Sequence, residues 1–96
     1  MDAARHTVLV AFDIEGDARR RNRIARELLN HGYRVQRSVF ECRLSQEDER
    51  RLRRRLERCI TASDSLRFWR LPNAHRVRSI GLPQQALTWD TAFVLV

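Results

Sequence analysis

The sequence predicts an α+β domain, a four-stranded antiparallel sheet carrying two helices on one face. Three observations predict it. The chain has 96 residues, enough for one hydrophobic core and too few for two. Segments with strand-like patterning and segments with helical spacing alternate as strand, helix, strand, strand, helix, strand. Each helical segment carries one apolar stripe and arginine elsewhere, so each lies on a sheet and presents its other side to water.

The first strand is His6 to Asp13, HTVLVAFD, an almost unbroken β-branched and aromatic run that suits burial on both faces. Glu15-Gly16-Asp17 turns the chain, and Asp17 is placed to cap a helix running to about Asn30. The helix stripe is Ala18, Ile24, Ala25, Leu28 and Leu29, and Gly32 is the expected left-handed stop. Tyr33 to Leu44 is long for one strand, against a usual length of about 5–6 residues. A break near Gln36-Arg37-Ser38 is therefore expected, although no glycine or proline marks it and a single strand stays open as the alternative.

Ser45-Gln46-Glu47-Asp48 has the form of a capping box, a hydroxyl followed three residues later by a carboxylate. The second helix runs to about Cys59 with Leu52, Leu56, Cys59 and Ile60 on one face. Glu47 with Arg51 and Glu49 with Arg53 have the i, i+4 spacing of solvent-side ion pairs. Ser65 to Leu71 is a strand ended by Pro72, and Val77 to Ile80 is a short further strand. Gly81-Leu82-Pro83 opens an irregular stretch, and Ala92 to Val96 is a terminal apolar strand.

This order is that of the ferredoxin-like βαββαβ sandwich. It divides the chain into a domain over residues 1–80 and, over 81–96, a linker with a C-terminal strand for dimer or partner contact. Two helices cover only one face of such a sheet, so the face bearing Val39 needs a partner, as does the terminal strand. Both point to a homodimer with the short C-terminal strand exchanged between protomers.

Composition bounds the function. All nineteen basic residues are arginine, twelve residues are acidic, and the formal net charge is +7. The longest apolar run, Val8 to Phe12, is far short of the roughly 20 residues that span a bilayer. Met1-Asp2-Ala3-Ala4-Arg5 lacks the apolar core of a secretory signal, so a soluble, cytoplasmic domain without membrane contact is expected. The charge favours a polyanion, and the planar fork of arginine grips phosphate bidentately. The absence of lysine is equally well explained by codon usage in a GC-rich genome. Cys42 and Cys59 sit in apolar patterns and read as reduced core residues. His6, His31 and His75 are scattered, without the spacing of a zinc site.

Asp13 carries the most chemistry. A carboxylate after five apolar positions sits at the mouth of the sheet, where a cation must compensate its desolvation. Mg²⁺ held by one or two carboxylates is one such cation, and it could activate water or polarise a phosphodiester. A paired arginine or a cap on the following turn is the alternative. A calcium loop starting at Asp13 is rejected, because its sixth and twelfth places hold Ala18 and Ile24 instead of glycine and glutamate. The arginine clusters, Arg19 to Arg26 and Arg50 to Arg58, could form a basic stripe along a phosphate backbone, with Arg19, Arg20, Arg21 and Arg23 foremost. The plainer reading is a solvated face neutralised by Glu27, Glu47, Asp48, Glu49 and Glu57. No serine has a histidine partner at a motif spacing, so any catalysis is metal-assisted hydrolysis.

Val10-Ala11-Phe12-Asp13-Ile14, Arg21-Asn22-Arg23-Ile24 and Arg34-Val35-Gln36-Arg37-Ser38-Val39-Phe40-Glu41-Cys42 resemble the CRISPR-associated protein 2 family, collinearly from about Val8 to Ile80. The resemblance implies a ferredoxin-like homodimer and a chain broken into two strands near Arg37. It implies that Asp13 from both protomers is the catalytic, metal-binding residue, sharing one Mg²⁺ at the dimer interface. It implies that Arg21, Arg23, Arg34 and Phe40 act in or support nucleic-acid cleavage; Phe12 and Ser38 are expected as supporting residues and Arg37 on the binding side, although the resemblance itself assigns nothing to Arg37. Phe12 stands where the family often has tyrosine, which removes a hydroxyl from the site. The implied partners are double-stranded DNA or single-stranded RNA, and the CRISPR-associated protein 1 integrase during spacer acquisition. Within the family, a Mg²⁺-dependent endonuclease and a non-catalytic DNA-binding scaffold are both open. An endoribonuclease toxin of related fold is the alternative outside it.

Overall fold

The structure, a computed structural model, describes residues 4–72, 76–80 and 92–95. Its elements are β1 (Arg5–Asp13), α1 (Ala18–Leu29), β2 (Gly32–Gln36), β3 (Val39–Ser45), α2 (Gln46–Glu57), β4 (Ser65–Leu71), β5 (Arg76–Ser79) and β6 (Ala92–Leu95). The first four strands form one antiparallel sheet in the order β2-β3-β1-β4. This is the ferredoxin-like sandwich that the element order predicts. β5 and β6 pair in parallel as a separate two-stranded sheet. The predicted linker, residues 81–91, lies outside the described residues.

Strand alternation sorts β1 into two faces. Val8, Val10 and Phe12 point to the helices and are buried, while Leu9 and Ala11 on the other face are half-buried and Asp13 is exposed. Burial of β1 on both faces is therefore corrected. Both helices lie on one side; on the opposite face Thr7, Tyr33 and Glu41 are buried, while Leu9, Ala11 and Val39 are half-buried and Trp69 is exposed. The core closes between the sheet and Ile24, Ala25 and Leu28 of α1 and Leu52 and Leu56 of α2. Ala18 and Leu29, predicted for the α1 stripe, lie outside it, with Leu29 46% exposed.

Both caps form as read. The Asp17 carboxylate accepts the Arg19 and Arg20 N–H groups, and the Ser45 hydroxyl accepts the Asp48 N–H at 3.1 Å. Gly16 has φ of +66°, which suits the turn between β1 and α1 to glycine. Gly32 is not the left-handed stop. α1 ends on Asn30 in right-handed helical geometry, and Gly16 is the only glycine with positive φ among the described residues. Gly32 instead opens β2 opposite Cys42, where a Cβ would overlap the Glu41 carbonyl oxygen and the Cys42 Cα. Its role is close approach of two strands. The chain does break between Gln36 and Val39, and the β2–β3 register shifts between Arg34 and Gln36. Among the described residues no helix is long and apolar enough to cross a membrane.

Candidate functional site

Asp13 ends β1 on the face opposite the helices. In register it faces Ser65, the first residue of β4. The same face carries Leu9 and Ala11, with Trp69 opposite Leu9 and Val39 opposite Ala11. Trp69 is 43% exposed, an unusual amount of aromatic surface for water. The Asp13 carboxylate is itself exposed, and among the described residues nothing ion-pairs or hydrogen-bonds to it. The desolvation expected for Asp13 is thus not seen in the single chain, because no described residue covers its carboxylate. Among the described residues Asp13 has neither an arginine partner nor a capping role.

The loop after Asp13 is held firmly. Arg21 donates through Nη1 to the Ile14 carbonyl at 3.3 Å. Arg20 reaches further. Its Nε donates to Asp17 Oδ2 at 3.2 Å, its Nη2 to the Glu15 carbonyl at 3.4 Å, and its Nη1 to the Cys59 carbonyl at 2.9 Å and to Asp64 Oδ2. Asp64 also accepts the Thr61 N–H at 2.8 Å, the Thr61 hydroxyl at 2.9 Å and, through Oδ1, the Glu15 N–H at 3.1 Å. The Arg20 guanidinium, aided by the Thr61 and Glu15 backbone donors, holds the Asp64 carboxyl well below the usual carboxylate range. The Arg20 backbone N–H, with the guanidinium beside it, likewise lowers Asp17. Arg20, expected on the nucleic-acid-binding side, has its fork engaged within the chain by Asp17, Glu15, Cys59 and Asp64.

The other arginines of α1 face outward. Arg19, Asn22, Arg23 and Arg26 of α1 line a shallow groove of about 590 Å³ with Arg34 of β2 and the exposed Leu29 at its edge. The one acid of α1, Glu27, is met by Arg55 of α2 at 3.4 Å. No acidic side chain pairs with Arg19, Arg23 or Arg26 among the described residues. Arg34 lies over the Phe40 ring, 5.1 Å from its centroid, a cation–π contact.

Phe12 and Phe40 stack within the core at 6.0 Å between centroids, so both support β1 and β3 from behind. Ser38 lies in the β2–β3 turn, where its carbonyl accepts the Phe12 N–H at 3.0 Å. Arg37 is exposed on that turn. Cys42 and Cys59 are free and buried, and burial with the Glu41 carboxylate nearby pushes the Cys42 thiol up to about 12. Neither is a nucleophile.

The predicted residues therefore fall into three places. Arg19, Arg23 and Arg34 share the groove, Arg20 and Arg21 secure the loop behind Asp13, and Phe12, Ser38 and Phe40 form the packed support. Two contributors were not singled out from the residue pattern, Asn22 and Asp64. Asn22 is ordinary helix surface by pattern. Asp64 follows Thr61 and Ser63 directly before a strand, a turn signature that sequence reading could have used.

Comparison with known proteins extends this geometry. The family model described as CRISPR associated protein Cas2 matches residues 6–78. A protein of Synechocystis named CRISPR-associated endoribonuclease Cas2 3 is 45% identical over 64 residues, 66% of this chain and 68% of that protein. A Thermus thermophilus protein named CRISPR-associated endonuclease Cas2 2 is 42% identical over 74 residues, 76% of this chain and 79% of its own. Among solved structures, Streptococcus pyogenes Cas2 superposes with a TM-score of 0.64 at 32% identity, covering 69% of this chain and 86% of that one. A hypothetical protein from Thermus thermophilus superposes at 0.71 with 36% identity, over 84% of this chain and 100% of that one. A family model spanning β1 through β5, relatives above 40% identity and the matching sandwich agree, and the chain belongs to the CRISPR associated protein Cas2 family.

Proposed function

We propose that this chain is a nucleic-acid-binding CRISPR adaptation protein that works as a homodimer and cleaves phosphodiesters with Mg²⁺ held by Asp13. The observation that carries the reading is the position of Asp13: an exposed carboxylate at the end of a sheet face on which Leu9, Ala11 and Val39 are half-buried and Trp69 is exposed. Covering Leu9, Ala11, Val39 and Trp69 with the same face of a second copy brings two Asp13 carboxylates to one interface. β4 is an edge of the four-stranded sheet, so its outer side can accept an exchanged C-terminal strand, which in the single chain is paired with β5 instead.

One aspartate per chain, two per dimer, fits Mg²⁺, which is commonly held by one or two carboxylates with waters and substrate phosphates completing the shell. Within the single chain no group of three or more His, Cys, Asp or Glu converges among the described residues, so the ion needs the second copy or the substrate. When bound, Mg²⁺ supplies neutralisation of the phosphodiester and a water of lowered pKa. Arg19, Arg23 and Arg34 grip the nucleic-acid backbone, with Arg37 as an outlying contact, and Arg21 keeps the Ile14 backbone, hence Asp13, in place. The names of the relatives, endoribonuclease and endonuclease, support cleavage of RNA or DNA.

Phe12 favours a second reading. It puts no hydroxyl beside Asp13, and its ring faces the core, so a duplex-holding scaffold for the integrase in spacer acquisition would use the arginines without the aspartate. Asp13→Ala separates the two. Metal-dependent cleavage of single-stranded RNA and double-stranded DNA should be lost with binding retained; unchanged cleavage sinks the nuclease reading. Light scattering should return twice the chain mass. Co-purification with the integrase tests the adaptation role.

A further inference from the structure

We propose that Asp64 is a positioning residue for Asp13, acting through Arg20 and the backbone of Glu15, an inference that rests on the reading of Asp13 as the metal-holding carboxylate. Asp64 directly precedes Ser65, the register partner of Asp13, so the two acids end neighbouring strands at the same rim. Only Asp13 is available to a cation. Asp64 accepts four hydrogen bonds, from Arg20, from both Thr61 donors and from the Glu15 N–H, and its side chain has no solvent exposure. Four donors fill the acceptor capacity of a carboxylate. Asp64 therefore serves as an internal anion around which the rim is assembled.

The assembly ties together three segments distant in sequence. Arg20 stands on the first turn of α1, Asp64 and Cys59 frame the turn between α2 and β4, and Glu15 lies in the loop leaving Asp13. Both backbone groups of Glu15 are engaged, the N–H by Asp64 and the carbonyl by Arg20. The neighbouring Ile14 carbonyl is held by Arg21. The segment between a strand end and Gly16, which would otherwise be free to swing, is thus clamped on two successive residues. A metal-holding carboxylate works only when its supporting contacts fix it, and loss of such contacts commonly costs about 10–100-fold in metal affinity or activity.

The test uses the full chain and Mn²⁺ alone as the probe, followed by calorimetry, with cleavage kinetics alongside. Asp64→Asn keeps the side-chain shape but turns an NH₂ group toward the Arg20 and Thr61 donors. Arg20→Lys keeps the positive charge and loses the fork. Mn²⁺ affinity and kcat are expected to fall about tenfold in Asp64→Asn and by less in Arg20→Lys, with KM for the nucleic acid within about twofold. The Glu15 amide should also exchange its hydrogen faster. Folded variants with a lowered Tm but undiminished Mn²⁺ affinity and kcat would reduce Asp64 to a stability contact and overturn the proposal. If Asp64→Asn fails to fold, Arg20→Lys decides by the same criteria. Asp13→Ala is the separating control. Should it bind Mn²⁺ like the parent, the reading of Asp13 falls and the positioning role falls with it; should it lose Mn²⁺ while Asp64→Asn does not, only the positioning role falls.

Discussion

α1 and α2 each span twelve residues, carry five arginines and rest on the same face of one sheet, yet their outer surfaces are wired differently. α2 has four acids, and two of its arginines pair locally, Arg51 with Glu47 at 2.6 Å and Arg53 with Glu49 at 3.0 Å. α1 has one acid, and that acid is met by Arg55 from α2. Its own Arg20 and Arg21 turn inward onto the loop behind Asp13, while Arg19, Arg23 and Arg26 line a groove. Arginine content alone therefore does not identify a phosphate-binding helix. What distinguishes α1 is the lack of local carboxylates, which leaves its field unneutralised.

The two helices should be alike where they face the sheet. Leu28 and Leu56 are both fully buried, so Leu28→Ala and Leu56→Ala should each destabilise the fold by about 2–5 kcal/mol in denaturant titrations. A difference larger than that range would mean the helices are not equivalent supports. The next largest effect is on binding. Arg19→Ala with Arg23→Ala should weaken nucleic-acid affinity by about 10–100-fold and flatten its salt dependence by about two units of slope. Arg51→Ala with Arg53→Ala should leave affinity within about twofold, because those guanidiniums already have carboxylate partners. Equal losses in the two pairs would erase the distinction between the helices.

Acid separates them more gently. The folded carboxyl of Asp64 is depressed, so the stability it contributes is complete above its unfolded pKa of about 3.9 and is lost as pH falls below that. Asp64→Asn should flatten the acid limb of the stability profile below about pH 4, as followed by circular dichroism. Smallest are the surface pairs of α2. Glu47→Gln and Glu49→Gln should each cost about 0.3–0.5 kcal/mol, with the loss shrinking in salt.

How much was legible from residues alone follows the range of the interactions. The stripes of Leu52 and Leu56 and of Ile24 and Leu28, the caps at Asp17 and Ser45, and the break near Arg37 are local patterns, and each was readable. Asp13 could be singled out because a charge after an apolar run is itself a local anomaly. The inward engagement of Arg20 was not legible because its principal partner lies 44 residues away, and an arginine among arginines gives no local sign of facing inward. Glu41 escaped notice for a similar reason. It alternates as an outward polar residue on β3 but is only 1% exposed, covered on the face opposite the helices.

Gly32 shows what this means for reading mutational data. Alanine there meets the β3 backbone itself, not a side chain that could rotate away. In a saturation scan scored by survival or activity, position 32 would look as intolerant as Asp13, and a ranking by tolerance would place both in one active site. The two differ only in which quantity collapses: soluble yield at position 32, turnover per folded molecule at position 13. A scan that records abundance beside function would separate a residue defined by the space it leaves from one defined by the charge it carries.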